Sequence, residues 1–303
     1  MSDTKGNIGV IGLGAMGLGM AQSLRRAGYA VHVCDVRAEA SQAFAADGGV
    51  ACAHPADLAG HCDIVVSVVV NATQTEDVLF GPDGAAGAMK PGSVFVMCST
   101  VDPNWSVALE ARLAQMNLLY LDAPISGGAA KAASGQMTMM TAGTAAAYGK
   151  VGDALDAMAA KVYKLGDQAG NGSKLKIINQ LLAGVHIAAA AEAMALGIRE
   201  GVAAKDVYEV ITHSAGNSWM FENRMAHVLA GAYSVGTTPL SAVDIFVKDL
   251  GLVLDTAFAT KFPLPLSATA HQMFLQASAA GHGREDDAAV IKIFPGIDLP
   301  EAR

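Results

Sequence analysis

Asn7-Ile8-Gly9-Val10-Ile11-Gly12-Leu13-Gly14-Ala15-Met16-Gly17 is the stretch that decides the fold. A run rich in Val and Ile gives way to glycines at the spacing GxGxxG, and a helix-like segment, Ala15–Ala27, follows. The spacing alone is a weak signal in a chain with 33 glycines. Its place between a strand and a helix makes it a dinucleotide-binding fingerprint. Gly12 permits the tight turn, Gly14 lets the backbone approach a pyrophosphate, and Gly17 lets the helix pack closely on the strand. The helix N-terminus aims its N–H groups at the phosphates. Leu13, Ala15 and Met16 complete this candidate cofactor loop.

The next strand, Ala30–Cys34, runs into Asp35, 18 residues beyond Gly17. An acidic residue there accepts hydrogen bonds from the adenosine ribose hydroxyls and repels a 2′-phosphate, which selects NAD over NADP. A turn-forming Asp before the helix Ala38–Ala46 is the plainer alternative. Arg37, two residues on, would soften the discrimination.

Further apolar runs follow at Ile64–Val70, Ser93–Cys98, Leu118–Leu121, Thr138–Ala142 and Val162–Leu165, with helix-like stretches such as Asn104–Gln115 among them. Continuous apolar strands separated by helices predict a mainly parallel sheet covered on both faces. After about Gly166 the strand pattern stops. Gly170-Asn171-Gly172 reads as a loop and Ser173 as an N-cap, opening a helix to about Gly201. Ala204–Ser214, Trp219–Leu229, Ala242–Ala259 and Leu266–Ala280 read as further helices. The expected fold class is α/β: a Rossmann-type N-terminal domain, residues 1–166, and an all-helical C-terminal domain, residues 167–303, joined by a long helix. A length of 303 residues suits two domains.

Composition narrows the function classes. A hydrophobic fraction of 52% with 16% charged residues excludes a disordered chain. Lys+Arg 20 against Asp+Glu 28 leaves a net charge of −8, a sign that repels nucleic-acid phosphates and anionic lipid. Neither nucleic acid nor a membrane is an expected partner. Cys34, Cys52, Cys62 and Cys98 form no CxxC pair and have no histidine at metal-ligand spacing, so they read as buried reduced thiols in the cytoplasm, and no metal is expected. The start, MSDTKGN, is polar and carries no visible signal peptide. Leu181–Ile198 is long and apolar, but His186, Glu192 and its many alanines point to a buried helix of a soluble protein.

Two motifs in the second half carry chemistry. Ser126-Gly127-Gly128 follows an apolar strand and Pro124; glycines that expose N–H groups, with one hydroxyl, suit a carboxylate, and a mere loop is the alternative. Lys174 and Lys176 stand two apart on a helix, about 200° around its axis, so only one of them can line a site.

Four motifs occur in the order found in the β-hydroxyacid dehydrogenases, which the chain resembles over almost its whole length. They are the glycine loop, Asp122-Ala123-Pro124-Ile125-Ser126-Gly127-Gly128, Gly170-Asn171-Gly172 leading to Lys176, and Lys248-Asp249-Leu250-Gly251. Within the family it is most similar to the L-threonate dehydrogenases, through Asn179–His186, Ala215–Arg224 and Asp244–Lys248. The resemblance implies that Lys176 is the catalytic lysine, with an amide four residues on. Gln180 stands where the family commonly has Asn, and Asn179 is beside it; which of the two amides touches substrate stays open. Ser126, Gly127 and Gly128 are the implied substrate anchor, with Trp219 a candidate pocket wall or core residue. Thr100 is an implied nicotinamide-side contact or a helix cap. Val70 stands where the family usually has Pro, and with Asn71 it is a further candidate cofactor contact. Lys248 is an implied cofactor contact or half of a surface pair with Asp244.

A lysine acts as a base only when neutral, and moving its pKa from about 10.4 to about 7–8 takes roughly 3–4 kcal/mol of differential interaction. The expected function is NAD-dependent oxidation of the 2-hydroxyl of a four-carbon sugar acid, with L-threonate leading. A 3-hydroxyisobutyrate or tartronate-semialdehyde type of dehydrogenase is the alternative enzyme. A dinucleotide-binding sensor is the alternative of another class, but it would not need Lys176 and the Ser126 segment together. The expected assembly is a homodimer or homotetramer, and the expected partner a small hydroxy acid.

Overall fold

The computed structural model describes residues 5–233 and 241–301; Met1–Thr4 of the polar start lie outside them. The chain separates into two compact units, residues 1–176 and 177–303.

The first unit begins with β1 (Asn7–Ile11), α1 (Gly17–Arg26), β2 (Ala30–Cys34), α2 (Ala38–Ala46), β3 (Val50–Ala51), α3 (Pro55–His61), β4 (Ile64–Ser67) and α4 (Ala72–Phe80). It continues with β5 (Val94–Met97), α5 (Pro103–Gln115), β6 (Leu119–Asp122), β7 (Ile125–Ser126), α6 (Gly128–Ser134), β8 (Met137–Gly143), α7 (Ala145–Met158) and β9 (Ala159–Lys164). The strands form one sheet in the order β3-β2-β1-β4-β5-β6-β8-β7, with β9 also paired to β8. β1 to β6 are parallel, and β8 runs antiparallel to β6 and β7. The first six strands have the doubly wound order that reverses between β1 and β4, where such folds bind dinucleotides.

Both faces of the sheet are covered, as continuous apolar strands require. On one face Val10, Val33, Val66 and Val96 pack with Met20 and Leu24 of α1 and with Val151 and Leu155 of α7. On the other, Val65, Phe95, Met97 and Tyr120 meet Leu58 of α3, Leu79 of α4 and Leu109 and Leu113 of α5. Helix starts follow side-chain chemistry: Asn71 accepts from the Gln74 N–H, Asp102 from Asn104 and Trp105, and Thr144 from Ala147. β4 stops at Ser67, three residues short of the Val70 expected, because Asn71 already caps the next helix.

The second unit is helical. The long α8 (Asn171–Arg199) links the two units, and α9 (Ala204–Thr212), α10 (Trp219–Leu229), α11 (Val243–Ala259) and α12 (Pro265–Ala277) follow. A short 3-10 helix, Asp287–Ile293, packs with them. α8 is long and apolar enough to cross a membrane, but Ala183, Ile187, Ala191 and Met194 are spent in the core of this unit with Phe221, Phe246 and Phe274. Leu266–Ala280, expected as one helix, is α-helical to Ala277 and continues into a π-helical turn, Ser278–His282, which breaks at Gly281 with φ +95°.

α8 also starts earlier than Ser173, the expected N-cap. Ser173 lies inside the helix, and a carboxylate from another element does the capping: Asp122, at the end of β6, accepts from the Gly170 and Ser173 N–H groups at 2.8 and 2.9 Å.

Candidate active site

The carboxyl ends of the parallel strands line up. Gly12 N–H donates to Cys34 O, Val68 to Ile11, Cys98 to Ser67 and Ala123 to Met97, all at 2.8–3.0 Å. The segments holding Gly12–Gly17, Val70-Asn71, Thr100 and Ser126–Gly128 therefore leave the sheet at one edge, the edge where ligands bind in open α/β sheets.

In the glycine loop each glycine has its own reason. A Cβ on Gly12 would lie 2.6 Å from the Val68 carbonyl oxygen, and one on Gly17 would lie 1.9 Å from the Gly12 oxygen. A Cβ on Gly14 would meet nothing within 4 Å. Gly14 thus keeps open space beside its backbone, and a dinucleotide pyrophosphate fits there.

Asp35 is joined to this loop. Its Oδ2 accepts from Leu13 N–H at 2.6 Å, and its Oδ1 accepts from the N–H and Nε of Arg37 at 2.9 and 3.1 Å. Arg37 also donates from Nη2 to the Leu13 carbonyl at 3.1 Å. Burial alone would push the Asp35 carboxyl up, but the hydrogen bonds from Arg37 and Leu13 outweigh it and hold the group below the usual carboxylate range.

Gly127 and Gly128 have φ of +142° and +78°, a region where side chains other than glycine are strained. They turn the chain from β7 into α6, with Ser126 beside them. α6 is pressed on α1, where a Cβ at Gly19 would lie 2.5 Å from the Ala133 nitrogen. Ser23 Oγ donates to the Ala132 carbonyl at 3.0 Å, and Arg26 bonds the Ala133 carbonyl. The Ser126 segment is thereby fixed to the helix that follows the glycine loop.

Lys176 is buried, 7% exposed, while Lys174 is on the outside of the same helix. Asn71 caps α4, and Val70 donates its N–H to Gln74 Oε1 at 2.8 Å beside it. Thr100 is not the cap of α5, because Asp102 is.

In the second unit Gln180 is 7% exposed and donates from Nε2 to Asp249 Oδ2 at 2.5 Å. Asn179 donates from Nδ2 to Gln180 Oε1 at 2.9 Å. The Lys248 ammonium lies 2.5 Å from Asp249 Oδ1, and Asp244 accepts from Ser278 Oγ. Trp219 is not a core residue, being 57% exposed at the first turn of α10. Arg224 of the Ala215–Arg224 stretch is buried and grips Asp287 with two hydrogen bonds. Two buried acids at the centre of these networks, Asp122 and Asp249, have no role assigned from the sequence. Asp122 carries a signal, a lone charge in an otherwise apolar run, whereas Asp249 stands directly beside Lys248. Among the described residues no group of three or more His, Cys, Asp or Glu could hold a metal ion.

Residues 7–166 match the family described as the NAD binding domain of 6-phosphogluconate dehydrogenase. Residues 170–294 match the one described as NAD-binding of NADP-dependent 3-hydroxyisobutyrate dehydrogenase. The chain belongs to the 3-hydroxyisobutyrate dehydrogenase-like family. It is an NAD-dependent dehydrogenase, and the open space at Gly14 and the ionised Asp35 suit that cofactor. The dehydrogenase is 68% identical to the L-threonate dehydrogenase of Cupriavidus necator over 97% of this chain and 98% of that one. It is 52% identical to the L-threonate dehydrogenase of Pectobacterium atrosepticum over 98% of this chain and 96% of that one. The crystal structure of 3-hydroxyisobutyrate dehydrogenase from Salmonella typhimurium superposes with a TM-score of 0.91 at 53% identity, covering 96% of this chain and all of that one. That match agrees with the expected fold class.

Proposed function

We propose that this dehydrogenase oxidises the 2-hydroxyl of L-threonate with NAD⁺, and that Lys176 is its general acid/base. The observation that carries the substrate is the near full-length likeness, at 68% identity, to a protein named for L-threonate. For the chemistry, support comes from the burial of Lys176, which faces inward while Lys174 is exposed on the same helix.

Bound NAD⁺ supplies the hydride acceptor. Lys176 Nζ takes the proton of the substrate hydroxyl, and in the reverse direction returns it. Ser126 Oγ and the N–H groups of Gly127 and Gly128 hold the substrate carboxylate, and their glycine turn sets the donors before substrate arrives. Asn179 and Gln180 hold substrate hydroxyls, and the exposed Trp219 supplies apolar wall. Gly12–Gly17, Asp35, Val70, Asn71, Thr100 and Lys248 hold the dinucleotide. The test is NADH formation from a panel of three- to six-carbon hydroxy acids. Turnover of 3-hydroxyisobutyrate in place of L-threonate would replace the substrate and keep the enzyme class.

A homodimer or homotetramer belongs to the same proposal. Ile177, Ile178, Leu181, Val253 and Phe262 line an apolar groove on the second unit, and Phe258 and Leu266 are exposed by 86% and 71%. A second copy covering such a surface gains from its burial. The cytoplasm is the proposed location, supported by four free, buried cysteines; burial pushes the thiols of Cys62 and Cys98 up to about 12.

A further inference from the structure

We propose that Asp249 is a positioning residue of this reaction, acting by holding Gln180 and Lys248 at once. The inference rests on the roles proposed above for those two residues. Asp249 is 1% exposed on α11. One carboxylate oxygen takes the Gln180 amide N–H at 2.5 Å, and the other faces the Lys248 ammonium at 2.5 Å. This second contact is an ion pair.

A primary amide can be turned end for end, and its two ends differ in chemistry. Gln180 donates at one end to Asp249 and accepts at the other from Asn179. Turning it would set its oxygen against a buried carboxylate and its N–H₂ against that of Asn179. Both contacts are repulsive, so Asp249 fixes the orientation of Gln180. The same choice reaches Asn179, whose N–H₂ is turned to Gln180 and whose oxygen is left as the acceptor for a substrate hydroxyl. At its other oxygen the carboxylate gives the Lys248 ammonium, 23% exposed, a fixed anchor beside which the cofactor binds. A buried carboxylate is costly to keep in an enzyme core unless something is gained by it. Here the gain is two oriented side chains from two helices.

The test uses the full-length enzyme, NADH fluorescence titration without substrate, and the KM for L-threonate at saturating NAD⁺. Asp249→Asn keeps an acceptor for Gln180 but places an uncharged group beside Lys248. The expected result is a rise of five-fold or more in the NADH Kd, with less than a two-fold change in KM. Asp249→Ala removes both partners and is expected to raise KM five-fold or more as well. Adding Gln180→Ala to Asp249→Ala should then cost under two-fold, because the amide is already disoriented. Circular dichroism confirms the fold, and if Asp249→Ala does not fold, the Asp249→Asn split alone decides. Folded Asp249 variants with a lowered Tm but parental Kd and KM would overturn the inference. Absence of NADH formation by the parental enzyme on every hydroxy acid would overturn the proposed function instead.

Discussion

Ser173 holds the Asp122 carboxylate with both of its polar groups: Oγ donates to Oδ1 at 2.7 Å and the backbone N–H to Oδ2 at 2.9 Å. The two residues are 51 positions apart, and the bond ties the end of β6 to the first turn of α8. Gly172 makes the approach possible, since a Cβ there would lie 2.5 Å from the Met140 oxygen and 2.9 Å from the Asp122 oxygen. Lys176 is one turn further along the same helix. Its position is therefore set by a carboxylate in the motif that also holds Ser126.

Removing that carboxylate leaves buried N–H groups without an acceptor. Asp122→Ala is expected to lower the unfolding free energy by about 2–3 kcal/mol, the scale for hydrogen bonds to a charged group. Ser173→Ala should lose less, because its backbone N–H still bonds. Urea unfolding with an unchanged m-value measures both, and equal stability of Asp122→Ala and parent would remove the cap from the account.

A buried acid in the second unit gives a pH signature. Burial pushes Asp287 up to about 6, against the pull of Arg224 and with a further push from Asp286. Its folded pKa thus lies above the ordinary 3.8, so the fold favours the protonated form. The stabilisation is fully present below about pH 4 and is lost as pH rises through about 6, amounting to roughly 3 kcal/mol. Asp287→Asn should lack this dependence, so the stability of parent relative to variant should fall between pH 4 and 6. Parallel Tm curves would contradict it.

Cofactor affinity separates two glycines. Gly17→Ala forces a methyl onto the Gly12 carbonyl and should lower both Tm and NADH affinity. Gly14→Ala has open space and should leave Tm unchanged while NADH affinity falls ten-fold or more, about 1.4 kcal/mol. Unchanged affinity in Gly14→Ala would mean that no phosphate group approaches this loop.

Cofactor choice depends on a charge balance. Asp35 places a carboxylate where NADP⁺ brings a phosphate, and like charges set together cost several kcal/mol. Arg37, paired with Asp35 at 3.1 Å, offsets part of that. The ratio of kcat/KM for NAD⁺ over NADP⁺ should exceed ten in the parent and rise further in Arg37→Ala. A ratio that falls on removing Arg37 would reverse its assigned effect.

Local pattern carried the parts of the fold that are locally encoded. β1, β2 and α2 have the bounds expected from their apolar runs and flanking turns. α4, α6 and α7 lack a clear local signal: α4 mixes Thr, Gln and Glu into its turns, α6 opens on Gly128 directly after Gly127, and α7 contains Gly149 and Gly152. In the site, the glycine loop is readable because it depends on spacing within one segment, whereas spacing alone leaves Lys174 and Lys176 open and the family resemblance favours Lys176. Asp122 with Ser173 and Asp249 with Gln180 pair across 51 and 69 residues, and no spacing rule spans that distance. Trp219 and Thr100 show the same limit, since whether a side chain is core, cap or exposed depends on what the rest of the chain brings to it.

The central claim is that buried Lys176 moves the proton. The direct measurement is kcat for NAD⁺ reduction by L-threonate in Lys176→Ala, with Lys174→Ala as the control on the exposed side of the helix. Lys176→Ala is expected to bind NADH normally and to lose about 10²–10⁴-fold in kcat, the usual contribution of a general acid/base, while Lys174→Ala keeps most of its turnover. A near-parental kcat in Lys176→Ala would contradict the account, and a dead Lys174→Ala beside it would hand the role to Lys174.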